Sequence, residues 1–178
     1  MMFVSVTMIA CSQQVKVDES SLAIKRHAIL QDFNSESEIR TADSDLQIDL
    51  NYDGAKDYVI RYYGQSGSGI KNKVQVYLFD RKSNEYKLNE QLSELSNPSF
   101  FIDKKILTEF YIGNGGGGGS KLEWRSNKWT ATKTFEVEEN NIKTIWKVSD
   151  LLKGTVEYFT MPFQDIPPKK ILETSIKN

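Results

Sequence analysis

Disulfide bonding within the chain and cysteine-rich zinc sites are both excluded, because the 178 residues contain a single cysteine, Cys11. Histidine is equally scarce. His27 stands alone with no Cys or Ser signature around it, and an isolated histidine is more often a surface or hydrogen-bonded residue than a catalyst. A surplus of one charge is also missing: Lys plus Arg number 23 against 24 Asp plus Glu, so no global field draws in nucleic acid or an acidic membrane. After the first ten residues no segment approaches the roughly 20 consecutive apolar residues that a membrane-spanning helix needs. Carboxylates are plentiful, but no spacing selects two of them as a glycosidase pair, and no enzyme is expected.

What is present favours strands. The length suits one domain that buries its own core. Aromatic residues sit beside Thr, Val and Ile, the side chains that fit a pleated, half-buried surface. Residues 45–50 alternate Leu46, Ile48 and Leu50 with polar neighbours, the period of a strand with one buried face. Further strands are predicted over 58–63, 74–79, 106–112, from Leu122, over 129–137, 142–148 and 155–161. Ser83-Asn84, Ser126-Asn127 and Asn140-Asn141 supply turns, since Asn tolerates positive φ. Residues 89–95 carry Leu92 and Leu95 at helical spacing before Asn97-Pro98, enough for one short helical turn. The expected fold is all-β, an antiparallel meander forming a sandwich, barrel or small propeller-like domain. Trp124, Trp129 and Trp146 fall within strand patterns, where core packing is the default role.

The N-terminus has the layout of a bacterial lipoprotein signal. Residues 1–10 are uncharged and mostly apolar, and Met8-Ile9-Ala10-Cys11 runs into the polar Ser12-Gln13-Gln14. There is no basic n-region and the apolar stretch is short. The alternative is a first strand or a loose terminus with a buried thiol. The expected organisation is a signal peptide over 1–10, a lipidated Cys11 with a tether to residue 21, and a β domain over 22–178. Multiple acyl chains on Cys11 would hold the domain stably at a membrane, facing the periplasm or the cell surface.

Asp49-Leu50-Asn51-Tyr52-Asp53-Gly54-Ala55-Lys56-Asp57 is the most informative stretch. Oxygen-bearing side chains recur at the first, third, fifth and ninth places, and Gly54 stands at the sixth, where a calcium loop turns sharply. Asp49, Asn51, Asp53 and Asp57 would give side-chain oxygens to Ca2+, and Ala55 its carbonyl. A helix-loop-helix calcium hand is excluded, because Ile60 stands where the twelfth-place Glu belongs. A metal-free Asp/Asn/Gly turn is the competing reading.

Asp49 to Gly54, Val76-Tyr77-Leu78-Phe79-Asp80, Leu92 to Pro98, the glycine run and Leu122-Glu123-Trp124-Arg125 form an ordered set that resembles a family of periplasmic, calcium-binding bacterial lipoproteins. Members of that family resemble inhibitors of invertebrate-type lysozyme and act as immunity proteins against injected peptidoglycan hydrolases. The resemblance spans about residues 44–135. It implies a lipid-anchored periplasmic β domain that binds a secreted or injected peptidoglycan-cleaving enzyme and blocks its cleft. Related lysozyme inhibitors use a Ser-Gly-x-x-Tyr loop, and the nearest run here, Ser66-Gly67-Ser68-Gly69-Ile70, has Ile in place of Tyr. A non-inhibitory envelope binding module with a structural calcium site is the second reading.

Gly113-Asn114 followed by Gly115 to Gly119 lacks the Lys-Ser/Thr ending of a phosphate loop and the helix-opening context of a dinucleotide site. Such a run makes either a mobile loop or a place where backbone approaches another surface closely. A protruding loop would suit an inhibitor, so Gly115, Gly116, Gly117 and Gly118 are candidate partner contacts; a plain strand connection is the alternative.

Overall fold

The computed structural model describes residues 18–36, 41–64, 72–113, 116–139 and 143–162. The described residues form ten strands: β1 Ala42–Ile48, β2 Asp57–Tyr63, β3 Asn72–Asp80, β4 Glu85–Leu88, β5 Ser99–Phe101, β6 Ile106–Gly113, β7 Gly116–Arg125, β8 Lys128–Glu139, β9 Lys143–Asp150 and β10 Thr155–Pro162. Two helices, α1 Glu19–Ser35 and the short α2 Glu90–Ser93, accompany them. The strands pair in chain order as two antiparallel meanders, β1-β2-β3-β4 and β5 to β10. This is the all-β meander that the alternation predicts, arranged as a sandwich.

The two sheets are joined by one apolar layer. Leu50, Val59, Val74, Val76, Leu92 and Leu95 from the first half meet Leu107, Leu122 and Trp129 from the second. A second cluster of Phe135, Val137 and Trp146 lies farther along the six-stranded sheet. Trp129 and Trp146 are therefore core residues, and Trp124 packs at the edge of the first cluster.

Turn chemistry accounts for several connections. Ser126 and Asn127 both take positive φ, 49° and 59°, and close β7 directly onto β8 through the Arg125–Lys128 pair. That is the two-residue hairpin that suits the right-handed twist of its strands. Asn84, at φ 56°, ends the β3–β4 turn. Asn89 caps α2 by accepting a hydrogen bond from the Leu92 amide at 2.9 Å. Asn140-Asn141 lies outside the described residues.

Helix α1 is absent from the elements the sequence pattern predicts, and it occupies residues 19–21 of the expected tether. Asp18 caps it, accepting from the Ser20 amide at 3.1 Å. Its inner face lays Leu22, Ile29, Leu30 and Phe33 towards the β1–β4 sheet, where Phe33 joins Tyr58 and Ile60. The pattern is hard to read because Arg26 sits in the middle of that stripe while Ile24 points outwards. Arg26 is buried by donating to the Tyr86 hydroxyl at 3.1 Å and to Glu19 at 2.7 Å.

With α1 on one side and the other sheet on its opposite side, β2 is covered on both faces from Asp57 to Ile60. Tyr58 and Ile60 face the helix cluster and Val59 the inter-sheet core, all nearly inaccessible.

Candidate functional site

The Asp49–Asp57 stretch links β1 to β2 at one end of the sandwich. Its first part curls as the spacing predicts. Asp49 accepts from the amides of Asp53 (3.2 Å) and Gly54 (3.0 Å), Asn51 Oδ1 accepts from the Asp53 amide (3.1 Å), and Asp53 Oδ1 accepts from the Ala55 amide (2.8 Å). Asn51 also donates its side-chain amide to Asp53 Oδ2 at 3.2 Å. Gly54 takes φ +85°, the left-handed bend that the sixth place requires. Asp49, Asn51, Asp53 and Ala55 are thus brought onto one curl, and Asn51 and Asp53 border an open hollow of about 540 Å³.

Asp57 is used differently. It has no solvent exposure, and its carboxylate bridges two segments: Oδ2 accepts from the Leu50 amide at 2.7 Å and Oδ1 from the Phe79 amide at 2.8 Å. The ninth side chain of the motif therefore ties the loop to the end of β3. Burial pushes its pKa up to about 6; the two amide donors act against that shift, and the charges of Asp53 and Asp49 add to it. Among the described residues, no three His, Cys, Asp or Glu side chains gather into a metal-sized group. The donors that fit a hard cation are the oxygens of Asp49, Asn51 and Asp53 with the Ala55 carbonyl. Arg81 supplies a fixed cation nearby, donating to the Asp53 carbonyl at 2.8 Å.

Residues other than the oxygen donors anchor the loop to the second sheet. Tyr52, at φ 56°, places its ring 5.4 Å from Trp124 and 6.1 Å from Trp129, and donates its hydroxyl to the Ile102 carbonyl at 2.9 Å. Trp129 Nε1 donates to the Leu50 carbonyl at 2.9 Å, and Lys105 lies 4.8 Å from the centre of the Tyr52 ring. The loop is consequently a joint between the two sheets. Sequence spacing alone does not identify Tyr52 and Trp129, because their contacts cross about half the chain.

Of the two readings of the glycine run, the structure shows close backbone approach within a strand. Gly116–Gly118 are not a protruding loop; they open β7 and pair with β6 on one side and β8 on the other. Gly115 lies outside the described residues. The physical reason is close approach. A Cβ on Gly119 would sit 2.2 Å from the Glu109 carbonyl oxygen and 2.5 Å from the Phe135 ring, and one on Gly116 would sit 2.6 Å from the Val137 carbonyl oxygen. Absent side chains let Phe135 lie across the strand.

A second polar feature stands where β2 ends and β3 begins. Arg61, Asn72, Lys73, Asn97 and Ser99 line a cleft of about 290 Å³ with Phe110 behind them. Lys73 donates to the Glu94 carbonyl at 3.0 Å and to Ser96 Oγ at 2.8 Å, whereas Arg61 lies 6.0 Å from the centre of the Phe100 ring and forms no ion pair among the described residues. The Ser66 to Ile70 run connects these two strands but lies outside the described residues, as do Cys11 and the rest of 1–17. Among the described residues, no helix is long and apolar enough to cross a membrane.

No family model matches the chain, and no curated protein matches it. Among solved structures it is similar to one described as "Structure of a Xanthomonas Type IV Secretion System related protein", at 21% identity and a TM-score of 0.49. The match covers 71% of this chain and 61% of that one, so the chain spans about three fifths of its neighbour's length.

Proposed function

We propose that this chain is a non-catalytic, lipid-anchored protein of the bacterial envelope that binds a peptidoglycan-cleaving enzyme and blocks it. The observation that supports this reading is the cleft at the β2–β3 end, which Arg61 lines with Lys73, Asn72 and Asn97, its guanidinium 6.0 Å from the centre of the Phe100 ring and in no ion pair among the described residues. Glycan hydrolases of the lysozyme type work with a pair of carboxyl groups in a groove. A rim carrying the Arg61 guanidinium, with the Lys73 ammonium held behind it by Glu94 and Ser96, is complementary to such a groove in charge.

Calcium has a supporting role in this proposal. Asp49, Asn51 and Asp53, with the Ala55 carbonyl, would hold the ion at the curl. When bound, the ion would supply positive charge beside Asp57 and stiffen the joint between the sheets. The small number of charged donors places its affinity in the weak, extracellular range. Thermal unfolding of the full chain in calcium and in chelator tests this: calcium raises the midpoint in the native chain and leaves Asp53→Ala unchanged. An equal response of the two would refute the site.

Inhibition is tested by titrating the full chain against a panel of lysozymes and injected peptidoglycan hydrolases. The expected result is stoichiometric inhibition of at least one enzyme, weakened at least about tenfold by Arg61→Ala with no change in thermal midpoint. Failure to retain or inhibit any hydrolase removes the reading.

A further inference from the structure

The C-terminal strand β10 closes the order of the six-stranded sheet, with β9 its single strand neighbour among the described residues. It is eight residues long, and the side chains from Thr155 to Tyr158 are all exposed, Val156 at 50% and Tyr158 at 68%. The preceding turn exposes Leu151 and Leu152 as well. Backbone donors and acceptors on an open strand edge are a template for another strand, and proteins normally guard such edges with short length, charge or cover. The other edges here are guarded. β5 has three residues and β4 has four, with Glu85 and Lys87, while β1 carries Asp43 and Asp45. The sequence of β10, Thr-Val-Glu-Tyr-Phe-Thr-Met-Pro, has one charge, Glu157.

We propose that β10 is a self-association edge, which pairs antiparallel with β10 of a second copy of this chain and joins two six-stranded sheets into one. The strand is self-complementary about Tyr158. A two-fold axis at that residue places Tyr158 opposite Tyr158 and Val156 opposite Thr160. It also places Glu157 opposite position 159, so the single charge never meets its own copy. An aromatic pair on the axis flanked by a β-branched pair on each side is a favourable cross-strand set. An axis at Glu157 would set two carboxylates face to face, which disfavours that register. The partner is a second copy because the edge is matched to itself in charge and in side-chain pairing.

Two measurements on the full chain test the proposal, with Cys11→Ser present so that an introduced thiol reports alone. Sedimentation equilibrium should show a reversible dimer. Tyr158→Lys, which puts like charges on the axis at an exposed position, should weaken it at least about tenfold without moving the thermal midpoint in protein dilute enough to be monomeric. Oxidation should cross-link Tyr158→Cys into a covalent dimer, because directly opposed Cα atoms lie within disulfide range. Val156→Cys should resist cross-linking, since its two copies are then about 13 Å apart along the strands. A monomer at every concentration, equal cross-linking of the two cysteine variants, or β10 amides protected from exchange in a monomer would each overturn the proposal. The last outcome would assign the edge to another segment of the same chain.

Discussion

Strands β2 and β10 have similar vocabularies and opposite fates. Asp-Tyr-Val-Ile-Arg-Tyr-Tyr and Thr-Val-Glu-Tyr-Phe-Thr-Met-Pro are both short, aromatic and β-branched, with few charges. Yet β2 is covered on both faces from Asp57 to Ile60 by α1 and the opposite sheet, whereas β10 stands at the end of its sheet with Val156 and Tyr158 in solvent. Composition makes a segment a strand; the neighbours that the topology provides decide whether it is core or edge. The difference also governs polar groups. A charged side chain in the buried part of β2 has to find partners, and Asp57 finds two backbone amides, while Glu157 in β10 is exposed.

The sharpest way to break this contrast is to remove the buried carboxylate. Asp57→Ala leaves the Leu50 and Phe79 amides without their acceptor and is expected to cost about 1–3 kcal/mol for each amide in denaturant unfolding. A loss below about 1 kcal/mol would show that water replaces it freely.

The pH response comes next. The folded pKa of Asp57, about 6, lies above its ordinary 3.8, so the native state binds this proton more tightly than the unfolded chain does. The stability this contributes is complete below pH 3.8 and is lost as pH rises through about 6, a change of about 3 kcal/mol in metal-free buffer. Asp57→Asn should flatten that part of the profile; an unchanged profile would assign it to other groups.

Valine provides a matched pair. Val59→Ala in β2 should cost about 2 kcal/mol, whereas Val156→Ala in β10 should stay within about 0.5 kcal/mol in dilute protein. Equal effects would mean that β10 is covered in solution. Gly119→Ala belongs with the core strand in this respect: its new methyl group meets the Glu109 carbonyl and the Phe135 ring, and a loss of about 1–3 kcal/mol in thermal unfolding is expected.

Local pattern accounts for how much of the molecule was legible from sequence. Strand alternation and the Asn-bearing turns mark most of both meanders, because these signals lie within a few residues of one another. The curl from Asp49 to Ala55 is legible for the same reason, since its hydrogen bonds span five residues or fewer. The role of Asp57 is not: its Phe79 partner lies 22 residues away, and spacing describes only the residues of the loop itself. Helix α1 is obscured by Arg26 in its inner stripe, which is satisfied by Tyr86, 60 residues distant. The glycine run admits two readings from composition, and the choice rests on Phe135 in the neighbouring strand.

Hydrogen exchange at the amides of Leu50 and Phe79, followed in chelator, tests the central claim that Asp57 makes this loop a joint of the core. The account predicts that both amides exchange only when the whole domain unfolds, with the same dependence on denaturant as the amides of Val59 and Val76. Fast exchange at either amide through a local opening that leaves Val59 and Val76 protected would contradict it.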